Sequence, residues 1–392
     1  MDDLNGENGE TDEHPEVLFL EGEEGTSLNG EEINEIEEQS IKDDSIMRIE
    51  AHEKDVFCLS LSKNGRWLAS GSEDDTAAVW DVTQKPIRQH YHIVGKHVDS
   101  VHCVAWNCSS DLLASGDMSG RIVCTHVRDS IDNEPATLII EDCQSTEQQM
   151  PEEEEQENSF EHIRWLLWHP SANGILFAGS GDDAVAKIWD FKTGTCISEV
   201  NLPGTCTGAM DLHLSGTVAA FGCSNGLTAL VTINLSDQKL KLVHIFTSTK
   251  KEEISENLNN QEEKEENKNS VECINFVPGN FPWLAVGMAN GQLTIFNWEH
   301  PAGRYEFNND GEAVVDCIWR ICIVDSITSI SLISICVDGI IRIWDAKNGQ
   351  LLKKIGGGGD QIYSAIKFKN DEEVEGLLTG SEGGLIRIFE LS

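Results

Sequence analysis

The sequence predicts an all-β fold: a β-propeller of seven four-stranded blades, preceded by an acidic disordered tail. Three observations carry the prediction. The first is self-similarity. "LASGSEDDTAAVWD" at 68–81 returns as "LFAGSGDDAVAKIWD" at 176–190 and as "ISICVDGIIRIWD" at 333–345, and a recurring unit decides the fold before any local signal does. The second is the period. Trp80, Thr125, Trp189, Val231, Phe296, Trp344 and Phe389 hold equivalent places, with gaps of 45, 64, 42, 65, 48 and 45 residues. Both long gaps contain charged inserts, and removing about 20 residues from each restores the spacing of a four-stranded blade. The third is the character of the strands. "DVFCLSL", "SVHCVAW", "HIRWLLW", "SVECINF" and "QIYSAIKF" are first strands, and "WLASGS", "LLASGD", "LFAGSG", "WLAVGM" and "LLTGSE" are second strands. They are short, bounded by turn residues and apolar almost throughout, as expected of sheets sandwiched between neighbours with both faces buried.

Taken in order, residues 1–45 form the tail and residues 46–392 the propeller. Residues 1–50 hold 18 acidic and 2 basic residues, a composition of disorder. The last unit reaches only a third strand, so "IMRIE" at 46–50 is expected to supply its fourth, closing the ring and removing a free edge. The insert at 141–161 has nine acidic and no basic residues, and that at 250–269 has seven acidic and four basic. Both read as solvated loops.

Acidic residues number 68 against 28 basic, a formal net charge of -40. That excludes nucleic acid and anionic membrane as direct partners and favours a basic protein segment. The tail carries -16 and the inserts -9 and -3, which leaves -12 on the repeats. Of the twelve cysteines none forms a CxxC pair. Cys58, Cys103, Cys273 and Cys317 lie in apolar strands and read as small buried hydrophobes in a reducing compartment. The tail's apolar run, Val17 to Leu20, is too short for a signal peptide, and no stretch is long enough to span a membrane. A cytoplasmic monomer is expected, with the sequons at Asn107 and Asn234 unused. Enzymatic chemistry finds no support. "HYHIVGKHVDSVH" holds His90, His92, His97 and His102, but it spans an outer strand, a turn and an inner strand, which scatters the rings against a metal site. "GGGGD" at 356–360 lacks the Lys-Ser/Thr of a phosphate loop. "PEEEE" at 151–155 is an acidic loop. No cofactor is expected.

In the first unit His52 precedes the first strand, Asp74 sits in the turn and Trp80 closes the third strand. The arrangement resembles the WD-repeat family, whose structural tetrad links His, Ser or Thr, Asp and Trp. The matching residues are His52, Ser70, Asp74 and Trp80. Such a set also suggests a hydrolase triad, but it comes without a nucleophile elbow or oxyanion motif. The second unit offers His97, with Ser119 at the Asp place and Thr125 for Trp. The third offers Asp182 or Asp183, the sixth Asp338 and Trp344, and the fourth, fifth and seventh Asn225, Asn290 and Gly383. Beyond the repeat, the order of "GDMSG" at 116–120, "RWLLWHP" at 164–170, "NSVECINF" at 269–276 and "CVDGIIRIWDAKNGQLL" resembles the family of angio-associated migratory cell protein and its fungal relatives. The resemblance implies a cytosolic propeller. In the fungal branch it implies a dedicated chaperone that binds the basic N-terminal segment of a large-subunit ribosomal protein, and in the animal branch an association with cell migration. It also implies eight blades, so that one is expected to be missing between Asp190 and Ser270.

Loops entering first strands and loops joining second to third strands share one rim. Glu53, Asp55, Glu73, Asp75, Asp99, Asp117, Asp182, Glu272, Asp316, Asp360 and Glu382 are expected there, with Phe57 and Tyr363 as aromatic anchors. The expected function is that of a non-enzymatic chaperone for a basic ribosomal protein segment. A signalling or migration-associated scaffold is the alternative.

Overall fold

The structure, a computed structural model, describes residues 41–128, 136–141, 163–180, 184–247, 269–279, 281–299, 304–324, 327–369 and 375–391. The expected tail up to residue 40, nearly all of both inserts, Asp182 and Asp183 lie outside the described residues. The described residues form seven four-stranded antiparallel sheets. Six are continuous in sequence: blade 1 at 56–93, blade 2 at 101–141, blade 3 at 163–201, blade 4 at 206–247, blade 5 at 271–308 and blade 6 at 314–356. Blade 7 combines 362–390 with Met47–Glu50, which pairs antiparallel with 385–388 as the outermost strand. The region between Asp190 and Ser270 yields a whole blade, packed directly on blade 3. The ring therefore has seven blades, not the eight implied by the resemblance.

The interior is divided among the seven junctions. Trp67, Val79, Trp106 and Leu113 fill the space between blades 1 and 2. Trp165, Phe177, Phe221 and Val231 fill that between blades 3 and 4, and Cys273, Leu293, Trp319 and Trp344 that between blades 5 and 6. Every residue of Trp67–Ser72 and of Ala77–Asp81 is buried, because each sheet has a neighbour on both faces. The recurrent Gly of the second strand has a packing cause. A Cβ at Gly71, Gly116, Gly179, Gly222, Gly287 or Gly380 would fall within 2.8 Å of side chains of its own or the next blade's inner strand.

Side chains also bond across junctions at the inner strands. Trp106 Nε1 donates to the Ser60 carbonyl (3.2 Å), Trp168 Nε1 to that of Ala105 (3.1 Å) and Trp319 Nε1 to that of Asn275 (2.9 Å). Elsewhere a carboxylate does this work. Asp211 accepts the Phe276 N–H (2.6 Å) between blades 4 and 5, and Asp316 accepts the Ala365 N–H (3.0 Å) between blades 6 and 7. Burial pushes Asp211 up to about 7 and Asp316 up to about 6, against the pull of these N–H donors.

Closure involves more than one strand. The Ala51 and His52 N–H groups donate to the Gly384 carbonyl (2.9 and 3.2 Å). Gly384 has φ +76°, and a Cβ there would run into the His52 carbonyl. Before the strand, Asp44 exchanges bonds with Gly356 (2.9 and 3.0 Å), and Asp43 pairs with Arg48 and Arg387.

Deleting residues 1–40 is expected to leave the melting temperature unchanged, whereas deleting 1–51 is expected to lower it by roughly 5–10 °C by exposing the edge at 385–388. Equal melting of the two would refute closure by this strand. The junction carboxylates Asp211 and Asp316 give a second expectation. Their folded values lie above that of a free carboxyl group near 4, so the fold favours their protonated form. That contribution is whole below about pH 4 and is lost as pH rises through 6–7. The double variant Asp211→Asn, Asp316→Asn should therefore melt higher than wild type at pH 8 and converge with it near pH 4. A constant difference across that range would contradict the assignment.

Candidate functional site

Two hydrogen-bonded sets fix the turns beneath the upper rim. In blade 1 the His52 side chain is wholly enclosed. Its Nδ1 meets Asp74 Oδ2 at 3.0 Å and its Nε2 meets Ser70 Oγ at 2.8 Å, while Trp80 Nε1 donates to the same Oγ at 2.9 Å. Asp74 also accepts the Glu53 N–H (3.0 Å) and so ties the loop entering the first strand to the turn. Burial is the main influence on His52 and holds it below the usual histidine range despite Asp74. Ser70 is fully buried, so this is a brace within the sheet and has no face on which a hydrolase could take a substrate.

Blade 2 corrects two expectations. Asp117, assigned from the sequence to the solvent-facing rim, is fully buried. It meets His97 Nδ1 at 3.0 Å, while His97 Nε2 meets Ser115 Oγ at 2.7 Å. Asp117 thus holds the place given to Ser119, whose hydroxyl and N–H instead donate to it. The carboxylate reaches the ring from the end of the second strand, two positions earlier than in blade 1. With Thr125 in the Trp place, Ser115 donates to the Val123 carbonyl (3.2 Å), and the buried Thr125 hydroxyl has no partner among the described residues. In blade 6 Asn309 takes the His place: it accepts from Ser334 (2.6 Å), which in turn accepts from Trp344 Nε1 (2.9 Å). The sequence signature did not reveal Asn309, because it looked for an imidazole.

The rim itself rests on a repeated irregularity. In six inner strands the register slips by one residue at the second position. The extra residues are Phe57, His102, Arg164, Glu272, Val315 and Tyr363, one each in blades 1, 2, 3, 5, 6 and 7. A bulge re-aims a side chain out of the strand's alternation, and here three aromatic rings from adjacent blades meet. Phe57 stacks on His102 (centroids 4.7 Å apart, 28°) and stands at right angles to Tyr363 (5.5 Å, 90°). All three are half-buried.

Asp55 pins this group, accepting the Tyr363 hydroxyl (2.9 Å) on one oxygen and the Gly383 N–H (2.9 Å) on the other. Burial first, then Asp55, Glu382 and Glu73, push the Tyr363 phenol up to about 12. Backbone bonds join the same loops: Glu73 N–H to the Asp55 carbonyl, Met118 N–H to that of Ser100, and Glu382 N–H to that of Gln361 (each 3.0 Å). Glu53, Asp75, Asp99 and Glu382, in the loops of these blades, are exposed and Glu73 is partly so. Lys54 lies 3.5 Å from Glu73.

Other acidic residues expected on the rim are engaged elsewhere. Asp316 is turned into the junction with blade 7, so it is corrected from the rim to that junction. Asp360 is paired with Arg387, which is itself buried, so it adds little negative charge to the rim. Glu272 accepts from Ser270 in blade 5, away from the aromatic group. His90, His92, His97 and His102 are not brought together, and no group of three or more metal-ligating side chains occurs among the described residues. No helix among them is long and apolar enough to cross a membrane. Sequence reasoning missed His102 at the rim. The signal was present: it follows Val101 as Phe57 follows Val56 and Tyr363 follows Ile362.

The closed ring, the braced turns and the rim define a seven-bladed β-propeller. The family model for the WD domain, G-beta repeat, matches residues 43–81 and 88–124. Each match begins in or just before an outer strand and runs through the following first three, so the sequence repeat is offset from the blade. Across nearly its whole length the chain is similar to human angio-associated migratory cell protein: 27% identical over 429 residues, covering 99% of this chain and 89% of that protein. The dog protein of the same name is 27% identical over 388 residues, covering 88% and 80%. Among solved structures, the crystal structure of the Saccharomyces cerevisiae Sqt1 matches with a TM-score of 0.64 at 16% identity, covering 89% of this chain and 99% of that one. At that identity the likeness concerns the fold.

Asp117→Ala is expected to cost about 1–3 kcal/mol or slightly more, because it strips an acceptor from His97, Ser119 and Arg121 at once. Ser119→Ala should cost less than about 1 kcal/mol. Urea unfolding midpoints decide between them, and equal losses would show that Asp117 does not hold the blade.

Proposed function

We propose that the upper rim over blades 7, 1 and 2 binds a Lys/Arg-rich N-terminal segment of a large-subunit ribosomal protein and shields it before assembly. In this reading the protein acts as a cytoplasmic monomer. The observation that carries the proposal is the rim itself: a half-buried aromatic group held in place by Asp55, with Glu73 and Glu382 beside Tyr363 and exposed Glu53, Asp75 and Asp99 in the loops of blades 1 and 2. The net charge of -40 and the similarity over nearly the whole chain to angio-associated migratory cell protein support it, as does what that resemblance implies for the fungal branch.

The physical logic is competition. A free basic segment binds RNA through charge alone. A negative rim steers the segment in, and carboxylates then form charge-assisted hydrogen bonds with it. The aromatic floor adds apolar contact that salt does not screen, so binding falls with ionic strength without vanishing.

The test is calorimetric titration of Lys/Arg-rich N-terminal peptides of large-subunit ribosomal proteins into the full chain and into a variant with Glu53, Glu73, Asp99 and Glu382 changed to Lys. One peptide is expected to bind wild type in about 0.1 M salt, where the Debye length is about 10 Å, and the variant should lose that binding. Asp55 is left intact because it holds Tyr363. If the two proteins bind alike, or no peptide binds wild type, the chaperone reading fails and a scaffold for other folded partners replaces it.

A further inference from the structure

The aromatic group has a geometry that charge attraction alone does not require. Two rings at 90° cannot cover each other's faces: the ring that offers its edge keeps its own faces outside the contact. His102 covers one face of Phe57, and Tyr363 meets Phe57 perpendicularly. Whichever ring gives the edge, at least one π face of the pair stays uncovered by these three residues. Both Asp55 oxygens are committed to Tyr363 and Gly383, so Asp55 fixes the Tyr363 ring from behind. Glu382 is exposed and Glu73 partly so, both close enough to the phenol to act on it electrostatically. The combination is a fixed corner of aromatic faces with carboxylate acceptors beside it.

The two basic side chains use such a corner differently. A guanidinium is planar and weakly hydrated. It lies flat on a ring while its in-plane N–H groups reach carboxylates at the edge. An ammonium is compact and strongly hydrated, and laying it on a ring removes water that the ring does not replace. We propose that the Phe57–Tyr363 corner selects arginine over lysine in the bound segment, seating one guanidinium on a ring face that these three residues leave uncovered, with its N–H fork toward Glu73 and Glu382. The selectivity rests on the rim being the binding surface, and it adds a residue preference that net charge cannot produce.

Two synthetic peptides of equal length and charge test it: acetyl-(Gly-Arg)5-amide and acetyl-(Gly-Lys)5-amide, titrated calorimetrically into the full chain in about 0.15 M salt. Wild type is expected to bind the arginine peptide about tenfold more tightly. Phe57→Leu and Tyr363→Leu should each bring that ratio below about threefold and leave the lysine peptide within about twofold of wild type. Tyr363→Phe keeps the ring and drops the bond to Asp55, so it should retain most of the preference. Thermal melts confirm that each variant is folded. Equal affinity for both peptides in wild type, or an undiminished ratio in both Leu variants, overturns the selectivity and leaves rim binding standing. Failure of wild type to bind either peptide overturns both.

Discussion

The structure depends on one constraint: each four-stranded sheet is apolar on both faces and must be covered on both. No blade satisfies this alone, and a row of blades would leave two bare faces. Only a closed ring covers them all. The recurrent glycine of the second strand follows from it, since the next inner strand presses where a Cβ would be. So do the tryptophan and aspartate bonds between inner strands, which are nearest the axis and bring neighbouring backbones closest together. The most buried large side chains, such as Phe177, Phe221, Phe296 and Trp319, lie in these junctions.

Given that constraint, the polar braces in the turns are free to vary. Blade 1 has the complete set of His52, Ser70, Asp74 and Trp80. Blade 2 moves the acid to Asp117 and loses the indole, and blade 6 replaces the imidazole with Asn309. In these three blades a buried serine hydroxyl of the second strand is satisfied by whatever donor or acceptor the sequence provides. The braces decide how firmly a given turn is held, and the two that pair a histidine with an aspartate, in blades 1 and 2, lie under the rim that carries Phe57 and His102.

The number of blades and the strand that closes the ring were legible in the sequence, because period and apolar continuity report directly on sheets buried on both faces. The set His52, Ser70, Asp74, Trp80 was legible by its resemblance to a known signature. The direction of individual side chains was less so. Asp117 and Asp316 sit in stretches that read as rim, yet both turn inward. The cause is the bulge at the start of six of the inner strands, which breaks the alternation used to assign faces, and in blade 2 a turn whose acid is shifted by two residues. Asp360 failed differently: it is at the rim, but Arg387, 27 residues further along, takes its charge. Such pairings are set by the fold and leave no local trace.

The rim over blades 7, 1 and 2 is built from both ends of the chain. Phe57, His102 and Asp55 are among the first residues of the propeller to be synthesised, whereas Tyr363, Glu382 and Gly383 are among the last. The aromatic group, and the face of blade 1 that Leu378, Ile386 and Ile388 cover, therefore form only once the ribosome has delivered the final blade. Until then Met47–Glu50 has no strand to pair with. A product interrupted before residue 360 lacks Tyr363 against Phe57 and both donors to the Asp55 carboxylate, so this corner of the ring is finished only when translation of the last blade is.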